Sequence, residues 1–155
     1  ACSSQMQMLV HYLRREPEPL AAEELGLAIL AESVAEERNV AEFDPRCVRR
    51  AKAVLHDCVE GRSSLAEIAS ELGVSPVHLT QTFKRSEGIP LYRYQTLLRL
   101  RRALTRLPEQ DDITDLAFEL GFSSHSHFTA AFRSEFGITP SRFRSEARSL
   151  NIGMT

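Results

Sequence analysis

The sequence predicts an all-α protein in which two similar helical units are joined by a long helix and preceded by an amphipathic helical segment. No stretch alternates apolar and polar residues with period two over strand length, whereas apolar residues recur every three to four positions, as on one helix face. The same helical pattern also occurs twice, at residues 65–89 and again at 113–138. Repetition of this kind indicates an architecture built from a duplicated unit.

The bulk composition is that of an ordinary globular protein. The chain has 155 residues, a length that fits one domain or one and a half. Of these residues, 43% are hydrophobic and 26% are charged. No apolar run is long enough to span a bilayer, and the first 20 residues lack the pattern of a signal peptide. Because the chain begins with Ala1 rather than Met, we expect it to be a piece of a longer protein.

Charge is distributed unevenly along the chain. Residues 45–107 carry 12 basic and 5 acidic side chains, a net charge of +7. Residues 1–44 have a net charge of −6 and residues 108–155 of −3, which together give the overall −2. A basic block that coincides with the first repeat predicts binding to a nucleic acid. The alternative is that a segment of this length has gained a few extra positive charges by chance.

The cysteine and histidine residues do not indicate a metal site or a disulfide. Cys47 and Cys58 lie eleven residues apart on one predicted helix, roughly 16 Å at 1.5 Å per residue, too far for a disulfide. We expect them to be small buried side chains in a reducing compartment. His125 and His127 are two residues apart and point to different helix faces, so we predict no metal and no cofactor.

The N-terminal third contains two amphipathic stretches with helical spacing. They cover residues 5–15 and 20–38 and are separated by the sequence Glu-Pro-Glu-Pro at 16–19, which a helix cannot cross. Residues 39–44 read as a linker. Two helices of this size cannot form a core alone, so we expect them to pack against a missing part of the protein, against each other, or against a second copy.

The repeat predicts two units at about 45–90 and 108–148, joined by a long helix over about 91–107. Asp44 and Pro45 mark the start of a helix that is expected to run to about Glu60. In the first copy, Ser64 and Glu67 fit a capping box, and Gly73 supplies the turn to the next helix. Each copy is therefore a short helix, a glycine turn and a second helix, which is the pattern of a DNA-reading helix-turn-helix.

The second helix of each copy is the candidate reading helix. Leu79 and Phe83 are expected to point inward, as are their counterparts Phe128 and Phe132. The outward face of the first copy then carries side chains that can contact base edges in the major groove. Glutamine can pair with adenine, threonine can donate or accept, and valine can touch a thymine methyl group. These residues are Val77, Thr80 and Gln81.

The paired units, the sequences GIP and GITP after the second helices, and the segment DLAFELGFSSHSHFTAAFRSEFGITPSRFR resemble the DNA-binding domain of the AraC/XylS family of bacterial transcription regulators. The resemblance covers residues 45–148. It implies a cytoplasmic, sequence-specific regulator, typically an activator, that reads two adjacent major-groove segments of double-stranded DNA. It places residues 1–44 at the helical tail of a sensing or dimerising region, and residues 45–155 in the DNA-binding domain.

The resemblance also implies site residues and partners. The base-contacting positions of the family correspond here to Val77, Thr80, Gln81, Ser126, His127 and Ala130. Phosphate contacts are predicted for Lys84, Arg85, Arg99, Arg102, Arg133 and Arg144, although the arginines of the long helix could equally form a solvated face. RNA polymerase is a further implied partner, as is an effector-binding domain outside this chain. Residues 1–38 are candidates for a homodimer contact.

The two copies differ on their outward faces. Gln81 of the first copy corresponds to Ala130 of the second, which offers no hydrogen bond. We therefore predict that the first unit supplies most of the base discrimination and that the second mainly positions the domain. The rival interpretation is a helical protein-interaction module without DNA activity. The sequence does not indicate an enzyme. It shows no nucleophile with a base at usable spacing, no phosphate-binding glycine loop and no paired acids in a plausible cleft.

Overall fold

A computed structural model describes residues 19–34, 44–60 and 63–152. Within these ranges all the regular secondary structure is helical, which confirms the predicted all-α class. The predicted helix over residues 5–15 lies outside the described residues. The helices in chain order are α1 (Pro19–Val34), α2 (Pro45–Asp57), α3 (Leu65–Leu72), α4 (Pro76–Glu87), α5 (Leu91–Arg106), α6 (Ile113–Glu119), α7 (His125–Phe136) and α8 (Pro140–Ile152).

The helices form two compact units whose boundary lies inside α5. The first unit contains α1 to α4 and the part of α5 up to Gln95. The second unit contains α5 from Thr96 onward, α6 to α8, and also Val59 and Glu60. Helix α1 therefore groups with the first helix-turn-helix, within the described part of the chain.

The core of the first unit is formed by apolar side chains that follow the helical period. They come from all five helices of the unit and include Leu20, Val48, Ala51, Leu55, Leu65, Ile68, Leu72, Leu79, Phe83 and Leu91. The predicted inward positions Leu79 and Phe83 are both fully buried, as expected from their spacing of four residues on α4. This packing fixes which face of α4 points outward.

Local hydrogen bonds define the start of α3 and the turn after it. Ser64 Oγ accepts from the Glu67 amide at 3.1 Å, and Glu67 Oε2 accepts from the Ser64 amide at 2.8 Å, which confirms the capping box. Gly73 ends α3 with a φ of 70°. The amide of the following Val74 donates to the Ala69 carbonyl at 3.0 Å, which satisfies the end of the helix.

Replacing Gly73 by alanine is expected to destabilise the first unit by about 1–2 kcal/mol, because a Cβ atom is strained in the left-handed conformation. No heavy atom lies within 4 Å of the position of that Cβ, so the cost comes from the backbone alone. Gly26 of α1 is the matched control, since it also has open space and helical geometry. Gly26→Ala should stabilise by about 0.5–1 kcal/mol. Urea titration followed by circular dichroism measures the free energy of unfolding of both variants. A loss of stability in Gly26→Ala as well as in Gly73→Ala would contradict the backbone explanation.

The core of the second unit is rich in phenylalanine. Phe132 packs against three other rings, with centroid distances of 5.7 Å to Phe128, 4.6 Å to Phe136 and 5.8 Å to Phe143. Tilted and edge-to-face contacts at these distances are favourable beyond the area that they bury. The surrounding buried residues are Leu100, Ala103, Leu107, Leu116, Ala117, Leu120, Phe122 and Phe128. This cluster holds α7 against α5, α6 and α8.

Several predicted helix ends are wrong by a few residues. Helix α2 ends at Asp57, not at about Glu60, because its C-cap Cys58 leaves helical geometry with φ −102° and ψ 29°. Helix α8 continues to Ile152, beyond the predicted end at about Arg148. Cys47 is buried, as expected, whereas Cys58 is only partly buried, and both are free thiols. None of the described helices is long and apolar enough to cross a membrane.

Candidate nucleic-acid interface

The first candidate reading helix, α4, is held by its cap and by its buried face. Ser75 Oγ accepts from the His78 amide at 3.2 Å, and Pro76 occupies the first turn. Gln81 is exposed and Val77 has 37% of its surface exposed. Thr80 is partly buried, and its hydroxyl donates to the Val77 carbonyl at 3.0 Å. The Thr80 oxygen therefore remains available mainly as an acceptor.

The last turn of α4 is cationic. Lys84 and Arg85 are both exposed there, where positive charge also complements the helix dipole. The orientation of α4 is fixed on its other side by Lys52 of α2, whose Nζ lies 2.6 Å from Glu87 Oε2 and 5.6 Å from the centre of the Tyr94 ring. These contacts link α2, α4 and α5. They hold α4 in one orientation, in which its polar face and its cationic last turn are both exposed to solvent.

The second candidate reading helix, α7, borders an open groove. Ser124 caps it by accepting from the His127 amide at 3.1 Å. The groove is lined by His125, Ser126, Thr129, Ala130, Arg133, Ser134 and Thr139. The predicted residues Ser126, Ala130 and Arg133 thus lie on one surface. Thr139 comes from the turn before α8, so the start of the helix after the reading helix forms one edge of this groove.

His127 differs from its expected placement. The His127 ring is partly buried, 3.3 Å from Ser123 Oγ through Nδ1 and edge-on to the Phe122 ring at 5.5 Å. The His127 ring is therefore turned toward the core, whereas the sequence predicts that it lies on the outward face of α7. Thr129, the counterpart of Thr80 in the repeat, also lines the groove, but its hydroxyl oxygen is buried.

Arg99 occupies a position that does not suit a phosphate contact. Only 2% of its surface is exposed, and the guanidinium carbon lies 5.9 Å from the centre of the Phe122 ring. A cation over an aromatic face in a desolvated setting is a stabilising arrangement. The phosphate contact predicted for Arg99 is therefore wrong, since the side chain belongs to the core of the second unit. Arg102, by contrast, is exposed and lies 3.4 Å from Glu60.

Arg144 and Arg148 of α8 hold the segment that precedes α6. Nη1 of Arg144 donates to the carbonyl oxygens of Gln110 and Asp111 at 3.2 and 2.6 Å. Arg148 donates to the carbonyls of Pro108 and Gln110 at 2.8 and 3.0 Å, and to the Asp111 carboxylate at 3.1 Å. Arg144, predicted to contact phosphate, thus already has a structural role through one of its nitrogens.

Asp112 caps α6 at the end of this segment. Amide hydrogen bonds from Thr114 and Asp115 lower the pKa of the Asp112 carboxyl, and the nearby Arg144 guanidinium lowers it further. Because the folded pKa is depressed, Asp112 contributes stability that is present above its unfolded pKa and is lost as the pH falls through the folded value. The cap and the two arginines therefore stabilise the same stretch of chain.

Comparison with known proteins identifies the repeated units. A family model described as a helix-turn-helix domain matches residues 48–146. The probable transcription factor PqrA of Proteus vulgaris is 41% identical over 78 residues, which cover 50% of this chain and 64% of that protein. The transcriptional activator RhaS of Escherichia fergusonii is 36% identical over 93 residues, which cover 59% of this chain and 34% of that protein. The chain thus spans less than two thirds of these curated relatives.

The fold of a solved protein agrees with this match. The crystal structure of a transcriptional regulator from Chromobacterium violaceum, described as having an AraC-type DNA-binding domain, is 31% identical. It superimposes with a TM-score of 0.61 over 66% of this chain and 92% of that one. The family match covers more than half of the chain and spans both helix-turn-helix units. The chain therefore belongs to the AraC/XylS family of DNA-binding transcription regulators.

Proposed function

We propose that the chain binds double-stranded DNA sequence-specifically, with α4 and α7 each entering a segment of the major groove. The observation that carries this proposal is shared by the two helices. Each is anchored by two fully buried side chains, Leu79 and Phe83 in α4 and Phe128 and Phe132 in α7. Each then presents polar residues outward and carries an exposed cation in its last turn, Lys84 in α4 and Arg133 in α7. A helix with this face fits the width of the B-DNA major groove.

The two helices are proposed to contribute unequally to base recognition. Gln81 is exposed and can make two hydrogen bonds to an adenine, whereas Ala130 at the corresponding position can make none. His127 is partly occupied by its contacts with Ser123 and Phe122. In the second unit, Ser126 is the remaining exposed polar residue of the predicted base-reading set, since the hydroxyl oxygen of the groove residue Thr129 is buried. The first unit therefore carries most of the hydrogen-bonding capacity.

Phosphate contacts are proposed for five cations, two in α4 and one each in α5, α7 and α8. The exposed ones are Lys84, Arg85, Arg102 and Arg133, and the partly buried Arg144 is the fifth. Arg99 is left out because of its burial. Phosphate contacts set the register of a domain on DNA but do not carry sequence information, so the proposal separates these residues from the base-reading set.

The wider role is proposed from the named relatives. The name of the Escherichia fergusonii protein describes a transcriptional activator, and we propose activation for this chain, with RNA polymerase as a partner. The relatives are longer than the matched segments, which supports an effector-binding region elsewhere in the protein. Because bacterial DNA lies in the cytoplasm, the proposed function places the protein there. A homodimer contact through residues 1–38 remains part of the proposal, to be tested by light scattering.

Gln81→Ala is expected to lose about 1–3 kcal/mol of discrimination at one base pair, because a bidentate contact is removed. The preferred site is first obtained by selecting bound sequences from random DNA. Affinities for that site and for its single-base variants are then measured for Gln81→Ala, Thr80→Ala and Ser126→Ala. Ser149→Ala serves as the control, since it removes a hydroxyl group at an exposed position outside the predicted site. Equal losses in Ser126→Ala and Gln81→Ala would contradict the asymmetry, and absence of any preferred site would contradict the proposed function.

A further inference from the structure

Helix α1 contacts α3 and α5 of the first unit through two consecutive carboxylates. Glu23 Oε2 accepts from the Leu65 amide at the start of α3, at 2.8 Å. Glu24 accepts from the amides of Leu91 and Tyr92 at the start of α5, at 2.9 and 2.8 Å. A carboxylate is favoured at these positions because the first amides of a helix have no partner within the helix and carry partial positive charge.

This contact is buried and packed. Leu20 of α1 is 1% exposed and Glu24 is 6% exposed, and α1 packs against both α3 and the reading helix α4. Burial raises the pKa of the Glu24 carboxyl, while the two amide hydrogen bonds and the charge of Lys84 lower it. The same Lys84 is one of the proposed phosphate contacts. Glu24 therefore neutralises part of the positive charge at the cationic end of α4.

The repeat shows what the corresponding position does in the second unit. Gly88-Ile89 corresponds to Gly137-Ile138, so the start of α5 corresponds to the start of α8. At the start of α8, Thr139 forms an edge of the open groove along the reading helix α7. In the first unit the equivalent edge, beside α4, is bound by Glu24. The acidic helix α1 thus covers the start of α5 in the first unit, whereas the corresponding start of α8 in the second unit borders an open groove.

We propose that α1 is an autoinhibitory segment, which must leave the first unit before that unit binds DNA fully. Its carboxylates and the DNA backbone are both anionic, so they compete for the amides at the start of α5, just beyond the end of the reading helix, and for the charge of Lys84. The charge pattern agrees with this competition, since residues 1–44 have a net charge of −6 and residues 45–107 of +7. A signal that changes the position of α1 would then change DNA affinity. The inference rests on the proposed DNA binding by the first unit.

The test compares DNA affinities of full-length variants. Glu23→Gln with Glu24→Gln removes both charges while it keeps the side-chain shape, and Asp57→Asn with Glu71→Gln makes the same charge change at exposed positions of the same unit. The probe is a mixed-sequence duplex of about 30 base pairs, about three helical turns. We expect about tenfold tighter binding by the α1 variant than by the control, because a larger fraction of the protein is competent to bind.

A second measurement keeps the test independent of changes in stability. Hydrogen exchange in residues 19–34 of the unsubstituted chain is expected to accelerate when the same duplex is added, because α1 is released. Equal affinities of the two double variants, or exchange in α1 that DNA leaves unchanged, would overturn the inference while leaving the proposed function intact. Absence of DNA binding by all three proteins at low salt would contradict the proposed function and, with it, the inference.

Discussion

Phe132→Ala is expected to destabilise the second unit by about 3–5 kcal/mol, the largest effect of any single substitution considered for this chain. Phe132 is fully buried and its ring contacts those of Phe128, Phe136 and Phe143. Alanine would leave a cavity that the surrounding rings can fill only in part. Since Phe132 also anchors α7, the reading face of the second unit should lose its defined orientation.

The chain offers a matched control and a convenient probe for this prediction. Phe118 lies on α6 with 51% of its surface exposed, so Phe118→Ala should change stability by less than about 0.5 kcal/mol. The chain has no tryptophan, and its three tyrosines all precede residue 96. Tyrosine fluorescence therefore reports on the first unit, whereas circular dichroism reports on both. In urea, Phe132→Ala should move the midpoint of the circular dichroism transition further than that of the fluorescence transition. Equal shifts of the circular dichroism midpoint in Phe132→Ala and Phe118→Ala would contradict the prediction.

DNA affinity is expected to fall steeply with salt, because binding releases counterions from the phosphates that the protein neutralises. With five cationic contacts, the slope of log K against log salt should be about −4 to −5, so a fourfold rise in salt should weaken binding several hundred-fold. Lys84→Ala should reduce the magnitude of the slope by about 1. Lys84→Arg is the control, since it keeps the charge and should keep the slope.

The salt titration also separates two classes of function. Filter binding or fluorescence anisotropy with a labelled duplex gives the affinity at each salt concentration. A flat response would favour a helical protein-interaction module over a DNA-binding domain. An unchanged slope in Lys84→Ala, with steep dependence in the unsubstituted chain, would instead remove Lys84 from the proposed contacts.

The repeat predicted the helices of both units because its signals are local. The capping box at Ser64 and Glu67, the turn at Gly73 and the buried pair Leu79 and Phe83 each depend on residues within a few positions of one another. Propensities, caps and apolar spacing all favour the same structure at these positions, so sequence alone was sufficient. The family resemblance rested on the same residues.

The features that were not predicted depend on distant parts of the chain. Arg99 and Arg102 share one helix and one side-chain type, yet only Arg99 is buried, because its guanidinium faces Phe122, 23 positions further along. The contacts of Glu23 and Glu24 join residues 42 to 68 positions apart. Helical periodicity identifies a face but not what covers it, so such contacts need the tertiary structure.

The hydrogen bonds of Arg148 bear on how the domain can be shortened. The family match ends at residue 146, two positions before Arg148. A chain cut there would lose the donor to the Pro108 carbonyl, one of the two donors to the Gln110 carbonyl and the partner of the Asp111 carboxylate. Tolerance to truncation follows the hydrogen bonding of the affected residues and not the limits of sequence similarity. A minimal DNA-binding fragment of this protein should therefore extend through α8 at least to Arg148, even though its recognisable family pattern stops earlier.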